Sequence, residues 1–158
     1  MSGMRIAREM DLSMDLRKEY PRSTHAEMHG IAFLPRAIDK GRADLAGTVG
    51  EYFSRTGFSK VLTDFLEIDI DEFVDTLAEL PDDAAVWDWV SARMAARTAA
   101  EIAEFNQELL NRKAKAEFIG RHRGFLEPLG LAHLAEKISV CERIDLEEGR
   151  SIPGIENR

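Results

Sequence analysis

The feature that most constrains this chain is its helix punctuation. In the stretch 59–95, SKVLTDFLEIDIDEFVDTLAELPDDAAVWDWVSARMA, a Ser or Asp precedes each run of apolar residues spaced three and four apart. That pattern writes a helix with one buried face. Ser59 is placed to cap a helix burying Val61, Leu62, Phe65 and Leu66. Asp69 is placed to cap the next, which buries Phe73, Val74, Leu77 and Leu80 before Pro81 stops it. Asp82 caps a third, whose Val86, Trp89, Val90 and Met94 share a face, with Trp87 near a rim. Thr98 and Glu101 form a capping box for a fourth and longest helix, running through Ile102, Phe105 and Leu109 to Gly120. Its other face pairs opposite charges at four-residue spacing through Glu104, Glu108, Arg112 and Lys115. Residues 131–141 bring Leu131, Leu134, Ile138 and Cys141 to one side of a further helix, so Cys141 reads as a buried filler and not a nucleophile. Strand alternation is scarce. The expectation is an all-α, single compact domain of about six to eight helices, not a long coiled coil.

A chain of 158 residues with 44% hydrophobic content can bury roughly 70% of its unfolded surface in one core. Within it we distinguish an N-terminal arm or helix (1–20), a polar segment (21–52), a helical core (53–146) and a tail (147–158). The tail's SIPGIENR is too poor in apolar residues to dock firmly. The net charge of -8 argues against nucleic acid as a partner. Charge is unevenly spread: residues 61–108 hold two Lys/Arg against thirteen Asp/Glu, and residues 109–125 hold five basic groups against Glu117. Such alternation reads as solvated helix faces and pairing between neighbouring helices. With one cysteine, a charged start MSGMRIAREMDLSMDLRKEY and no long apolar run, we expect a cytoplasmic protein without disulfide or membrane span.

The polar segment holds the most unusual helix, LPRAIDKGRADLAG (34–47). Pro35 suits its first turn. At about 100° per residue, Leu34, Ile38, Gly41, Leu45 and Val49 form a buried stripe, with Arg36, Asp39 and Lys40 on the far side. Arg42 lies at the boundary, where a long side chain can reach along the core edge. Gly41 costs about 1 kcal/mol of helix propensity relative to Ala, a cost usually offset where another backbone or a ligand comes close. Pairing of Asp39 with Arg36 or Arg42, and of Lys40 with Asp44, accounts for the charges from spacing alone. The competing account is an anion or polar-ligand site. In it Arg22, Arg36 and Arg42 supply forked donors, Asp39 and Glu51 orient them, Lys40 adds charge and Tyr52 a hydroxyl.

YPRST (20–24), LPRAIDKGRADLAG, GEY (50–52), DFLEID (64–69) and IDLEEGR (144–150) together resemble a bacterial family known only as domain of unknown function 5069. The resemblance spans most of the chain and is densest before residue 70. It implies that the polar helix is part of the family's signature, but brings no activity, cofactor or substrate. It also implies Pro where Thr24 stands, a His-Tyr-Asn-Cys-like stretch where this chain has FSRT (53–56), Gly at Glu67, and Arg and Gly at His25 and His29. Chemistry resting on that His or Cys would be absent here.

Other candidates are weaker. His25 and His29 in HAEMH would share a face on a helix, but Glu27 would point away and no third ligand follows, so no metal is expected. DIDEF (69–73) lacks the Gly and Glu of a calcium loop and reads as a cap. RHR (121–123) fits an exposed turn, and His133 a solvated position. No Ser-His-Asp or Cys-His arrangement, phosphate loop or dinucleotide fingerprint can be assembled, so catalysis is unsupported and no cofactor is expected. The leading expectation is a non-catalytic module recognising a small anionic ligand or a partner protein through residues 22–52. A hydrolase or lyase using Asp39 or Glu51 as base, and a structural or oligomer-forming protein, are the alternatives.

Overall fold

The computed structural model describes residues 14–158. Most of the N-terminal arm (1–20) therefore lies outside the described residues. Among those described, seven α-helices, short 3-10 turns and one two-stranded ladder make up the regular structure, so the chain is mostly helical. It divides into two compact units. The first takes the described residues up to Arg22 and then Phe33–Ala96; the second takes Ser23–Ala32 and Arg97–Arg158.

The first unit holds α1 (Leu34–Leu45), α2 (Phe58–Leu66), α3 (Ile70–Thr76) and α4 (Asp83–Arg93). Two caps fall where the sequence places them: Asp69 accepts from the Glu72 N–H, and Asp82 from the Ala85 N–H. Ser59 is not a cap. The helix starts at Phe58 after Gly57, and Ser59 lies inside it, buried. Gly57 has a φ of 65°, and this backbone turn starts the helix two residues earlier than a cap at Ser59 would. The core is built from Leu34, Ile38, Leu62, Leu66, Phe73, Val74, Leu77, Val86 and Val90, all at most 3% exposed. Gly41 faces Leu77 and Val74. A Cβ there would come within 2.5 Å of Leu77 Cδ1, so this glycine admits packed side chains of the same unit and not a ligand.

The second unit holds the ladder β1 (Glu27–Met28) and β2 (Ile31–Ala32), then α5 (Ala99–Leu110), α6 (Ile119–Leu126) and α7 (Val140–Glu147). HAEMH is thus no helix. His29 and Gly30 both have positive φ, 49° and 82°, as the two central residues of a tight hairpin turn require. Asn106 of α5 clamps the second strand, accepting from the Ala32 N–H at 3.0 Å and donating to Gly30 O at 2.7 Å.

The Thr98–Glu101 capping box forms, but α5 ends at Leu110, well before Gly120. Beyond Asn111 the Arg112 carbonyl accepts from the Val140 N–H, so a tertiary backbone bond takes the place of the next helical turn. Gly120 instead lies in α6, together with His122, which is buried and shares its Nε2 with Ile138 O at 3.0 Å. Residues 131–141 are likewise not one helix: a 3-10 turn at Ala132–Leu134 precedes α7, capped by Ser139. Their burial still follows the expected order, with Leu134, Ile138 and Cys141 inside. The tail is held more firmly than its composition suggests. Ile152 is buried, Ile155 packs on the Leu126–Leu134–Ala135–Ile138 cluster, and Arg158 donates to Glu142 at 2.7 Å.

Candidate functional site

The polar helix α1 behaves differently from its helical wheel. Every residue from Leu34 to Ala43 is buried, including Arg36 at 3%, Asp39 and Lys40 at 7% and Arg42 at 8% exposure, whereas Leu45 of the supposed buried stripe is 41% exposed. The far side is covered because the chain on either side of α1 supplies partners. Arg22, ahead of the helix, donates its main-chain N–H and Nε to Asp39 Oδ2, at 2.9 and 3.0 Å, and Nη2 to Oδ1 at 3.0 Å. The same guanidinium reaches Asp83, the first residue of α4, at 2.6 and 3.2 Å. Arg36 Nη1 donates to Arg22 O at 3.1 Å, and Arg42 Nη2 to Leu80 O at 3.1 Å.

Aromatic faces complete the setting. Arg36 lies 5.5 Å from the ring centre of Tyr52 and 6.0 Å from that of Phe33, and Lys40 Nζ lies 5.0 Å from Phe33. Phe33 is itself unusual. It precedes the helix with a φ of 72°, in left-handed backbone that a bulky residue adopts only at a cost of about 1–2 kcal/mol. It is held there by an edge-on contact with Phe58, ring centres 6.0 Å apart.

The structure therefore gathers Arg22, Arg36, Asp39, Lys40, Arg42 and Tyr52, and adds Phe33 and Asp83. It does not bring in Glu51, which is exposed on the turn after α1 and joins no ion pair found among the described residues. Asp44 turns elsewhere, accepting from Ser54 Oγ at 2.6 Å and from Arg55 Nε at 3.2 Å. Arg55 also reaches Asp71 and Asp75 at 2.8 Å each, a three-carboxylate hub that reads as the expected pairing between neighbouring helices.

Charge in this cluster is set by contact. Burial works against the Arg22 cation, yet the bonds it donates to Asp83 and Asp39 outweigh this, and the guanidinium holds its proton more firmly than usual. Arg22 in turn holds the Asp83 carboxyl below the ordinary carboxylate range. Asp83 also sits in the first turn of α4, where the helix dipole favours a carboxylate. One donor is left over: Arg42 Nε is buried and has no acceptor among the described residues. A buried N–H of this kind is costly to leave unpaired.

A second polar centre, which sequence reasoning missed, lies in the other unit. Asp145 of α7 is buried and accepts from Ser23 Oγ at 2.6 Å, from the Thr24 N–H at 3.1 Å and from His25 Nδ1 at 2.9 Å. Two quoted motifs thus meet within the second unit, YPRST through its Ser and Thr and IDLEEGR through its Asp. Their separation of about 120 residues hides the pairing from any local pattern. Among the described residues no three or more His, Cys, Asp or Glu side chains are placed to hold a metal ion. No helix among them is long and apolar enough to cross a membrane.

Fold and site define a mostly helical protein in which one unit gathers arginines and aspartates, buried and half-buried, around α1. The model of the family described as Domain of unknown function (DUF5069) matches residues 18–150, and the chain belongs to that family. No curated protein matches the chain.

Proposed function

We propose that the protein is a non-catalytic binding module that takes a small anionic ligand, free or presented by a partner protein, at the cationic cluster around α1. The observation that carries this is Arg42: more than nine-tenths buried, with its Nε–H lacking an acceptor among the described residues. A phosphate or carboxylate oxygen would meet that donor with a charge-assisted bond, the geometry for which arginine is best suited. Arg36, over Tyr52, and Lys40, over Phe33, are further cations of the same helix, each packed against an aromatic ring.

Use of Asp39 as a base is less favoured, because both its oxygens already accept from Arg22. A structural reading has one observation behind it. The Arg22–Asp39–Asp83 network ties the approach to α1 onto α1 and α4, and that tie needs no ligand. A thermal-shift screen of anionic metabolites separates the two. Binding predicts a hit lost in Arg36→Met and Arg42→Met but kept in Arg121→Met, whose side chain is in the other unit. Shifts that persist in all three variants, or none with any anion, leave the structural reading.

A further inference from the structure

Asp83 stands on the outer edge of the Arg22 guanidinium, where Nη1 donates to Oδ2 at 2.6 Å and Nη2 to Oδ1 at 3.2 Å. From this geometry we infer that Arg22 receives the ligand's anion, and that Asp83 is a built-in stand-in for it, a carboxylate that the ligand's carboxylate or phosphate displaces on binding. The inference rests on the anion-binding reading above. It adds to that reading the residue that grips the ligand and the residue that competes with it.

The two edges of Arg22 differ in permanence. Its inner edge, Nε and Nη2, is held by Asp39, whose side chain is 9% exposed and has both oxygens engaged. Its outer edge meets Asp83, whose side chain is 44% exposed. A fork of two N–H groups on two oxygens is the way arginine takes a carboxylate or a phosphate, so a ligand can reproduce every bond that Asp83 makes to it. A pair this open to water is also weakly held, and its carboxylate is exchangeable where that of Asp39 is not.

Asp83 can leave without cost to its helix. The cap of α4 is the neighbouring Asp82, whose Oδ1 accepts from the Ala85 N–H at 2.8 Å, so a swing of the Asp83 side chain uncaps nothing. The incoming anion has an advantage that Asp83 lacks. Arg42 is anchored through Nη2 to Leu80 O, in the turn that leads into α4, and its buried Nε–H has no acceptor among the described residues. The Arg42 cation joins that of Arg22 in favouring the ionised form of Asp83, so a negative charge at this position feels both arginines. A ligand oxygen, not tethered to α4 as Asp83 is, can reach towards the donor that Asp83 leaves unused. The first turn of α4 adds a field of the same sign.

Titration calorimetry with citrate and with inorganic phosphate, at constant ionic strength, tests the exchange in wild type, Asp83→Asn and Asp82→Asn. With the competing carboxylate gone, Asp83→Asn should bind one of the two anions about five- to tenfold more tightly than wild type. Asp82→Asn removes the same formal charge and keeps the cap, and should change the affinity by less than about twofold, because an exposed charge off the site is screened. A gain with citrate alone assigns the ligand to the carboxylates, and one with phosphate alone to the phosphates. Wild type that binds while Asp83→Asn binds no more tightly, or equal gains in both variants, overturns the inference and leaves the binding reading standing. No binding by any of the three proteins overturns both. A second measurement needs no variant: in wild type the side-chain carboxyl carbon resonance of Asp83 should move with the same midpoint as the Arg42 Nε–H, while that of Asp82 stays. An Asp83 resonance that stays in place as the Arg42 Nε–H moves overturns the inference.

Discussion

Arg22 gives three hydrogen bonds to Asp39, seventeen residues further along the chain, from its main-chain N–H, Nε and Nη2. This pair fixes the chain entering α1 and covers what would otherwise be the solvent face of that helix. Removing the carboxylate leaves a half-buried guanidinium with only Asp83 as an ionised partner among these contacts. Asp39→Ala should therefore cost about 2–3 kcal/mol, less than a fully buried pair because Arg22 is 38% exposed at its side chain. Urea denaturation of the variant against wild type checks this, and a change under 0.5 kcal/mol would show the pair to be decorative.

Gly41 is the tightest point of the first unit. The added Cβ of Gly41→Ala meets Leu77 Cδ1, and the gain of about 1 kcal/mol in helix propensity is offset by the displacement of Leu77. The expected net change is within about 1 kcal/mol. Gly41→Leu has no such offset, and should lose about 2–3 kcal/mol as α1 is levered away from Val74 and Leu77. Thermal unfolding of the two variants side by side tests the packing directly. Equal stabilities would mean that α1 does not rest on α3 as described.

Asp145 sets the acid limit of the second unit. Burial alone would raise its carboxyl, but the bonds from His25, Ser23 and the Thr24 N–H outweigh it and bring it down to about 2, from an ordinary 3.8. A carboxyl depressed on folding contributes stability that is fully present above its unfolded value and lost as the pH falls through the folded one. That contribution is on the order of 2 kcal/mol and should disappear between about pH 4 and pH 2. Asp145→Asn removes this dependence. Its stability should be lower than wild type at pH 5 and should fall less steeply below pH 4, as followed by urea denaturation across that range.

Two residues other than glycine hold left-handed backbone where the family resemblance implies glycine: His29 at φ 49° and Glu67 at φ 56°. Glu67 ends α2, a position where a glycine relieves strain at no cost to the fold. Glu67→Gly should stabilise by about 0.5–1 kcal/mol despite the greater freedom of the unfolded chain. His29→Gly should act in the same direction at the hairpin turn. Calorimetry gives the sign, and a lower midpoint for Glu67→Gly would show that its side chain makes compensating contacts.

The helices were legible in the sequence at three of the four starts that a side chain marks. Asp69, Asp82, Ser139 and the Thr98–Glu101 box all cap helices, because capping is a matter of three or four neighbouring residues. Of these, Ser139 was hidden, since the apolar spacing of 131–141 suggested one helix running through it. The hairpin at 27–32 was missed although His29-Gly30 between apolar residues is a turn signal, because the two histidines at four-residue spacing invited a helix. In α1 the wheel failed for a different reason. Helical periodicity assumes one face in water, and the partners that cover Arg36, Asp39 and Arg42 come from Arg22, Tyr52, Leu80 and Asp83, residues no local pattern connects. The composition of the candidate site was readable, but its closure by long-range contacts was not.

The arginine side chains themselves report most directly on the central claim. In a nitrogen–proton correlation spectrum that resolves the Nε–H groups, inorganic phosphate or citrate is titrated into the protein at constant ionic strength. The account predicts that the Arg42 Nε–H resonance, followed by that of Arg36, shifts saturably with one of these anions while that of Arg121 stays in place. Resonances of all three that move together in proportion to added salt, or that do not move at all, would contradict it.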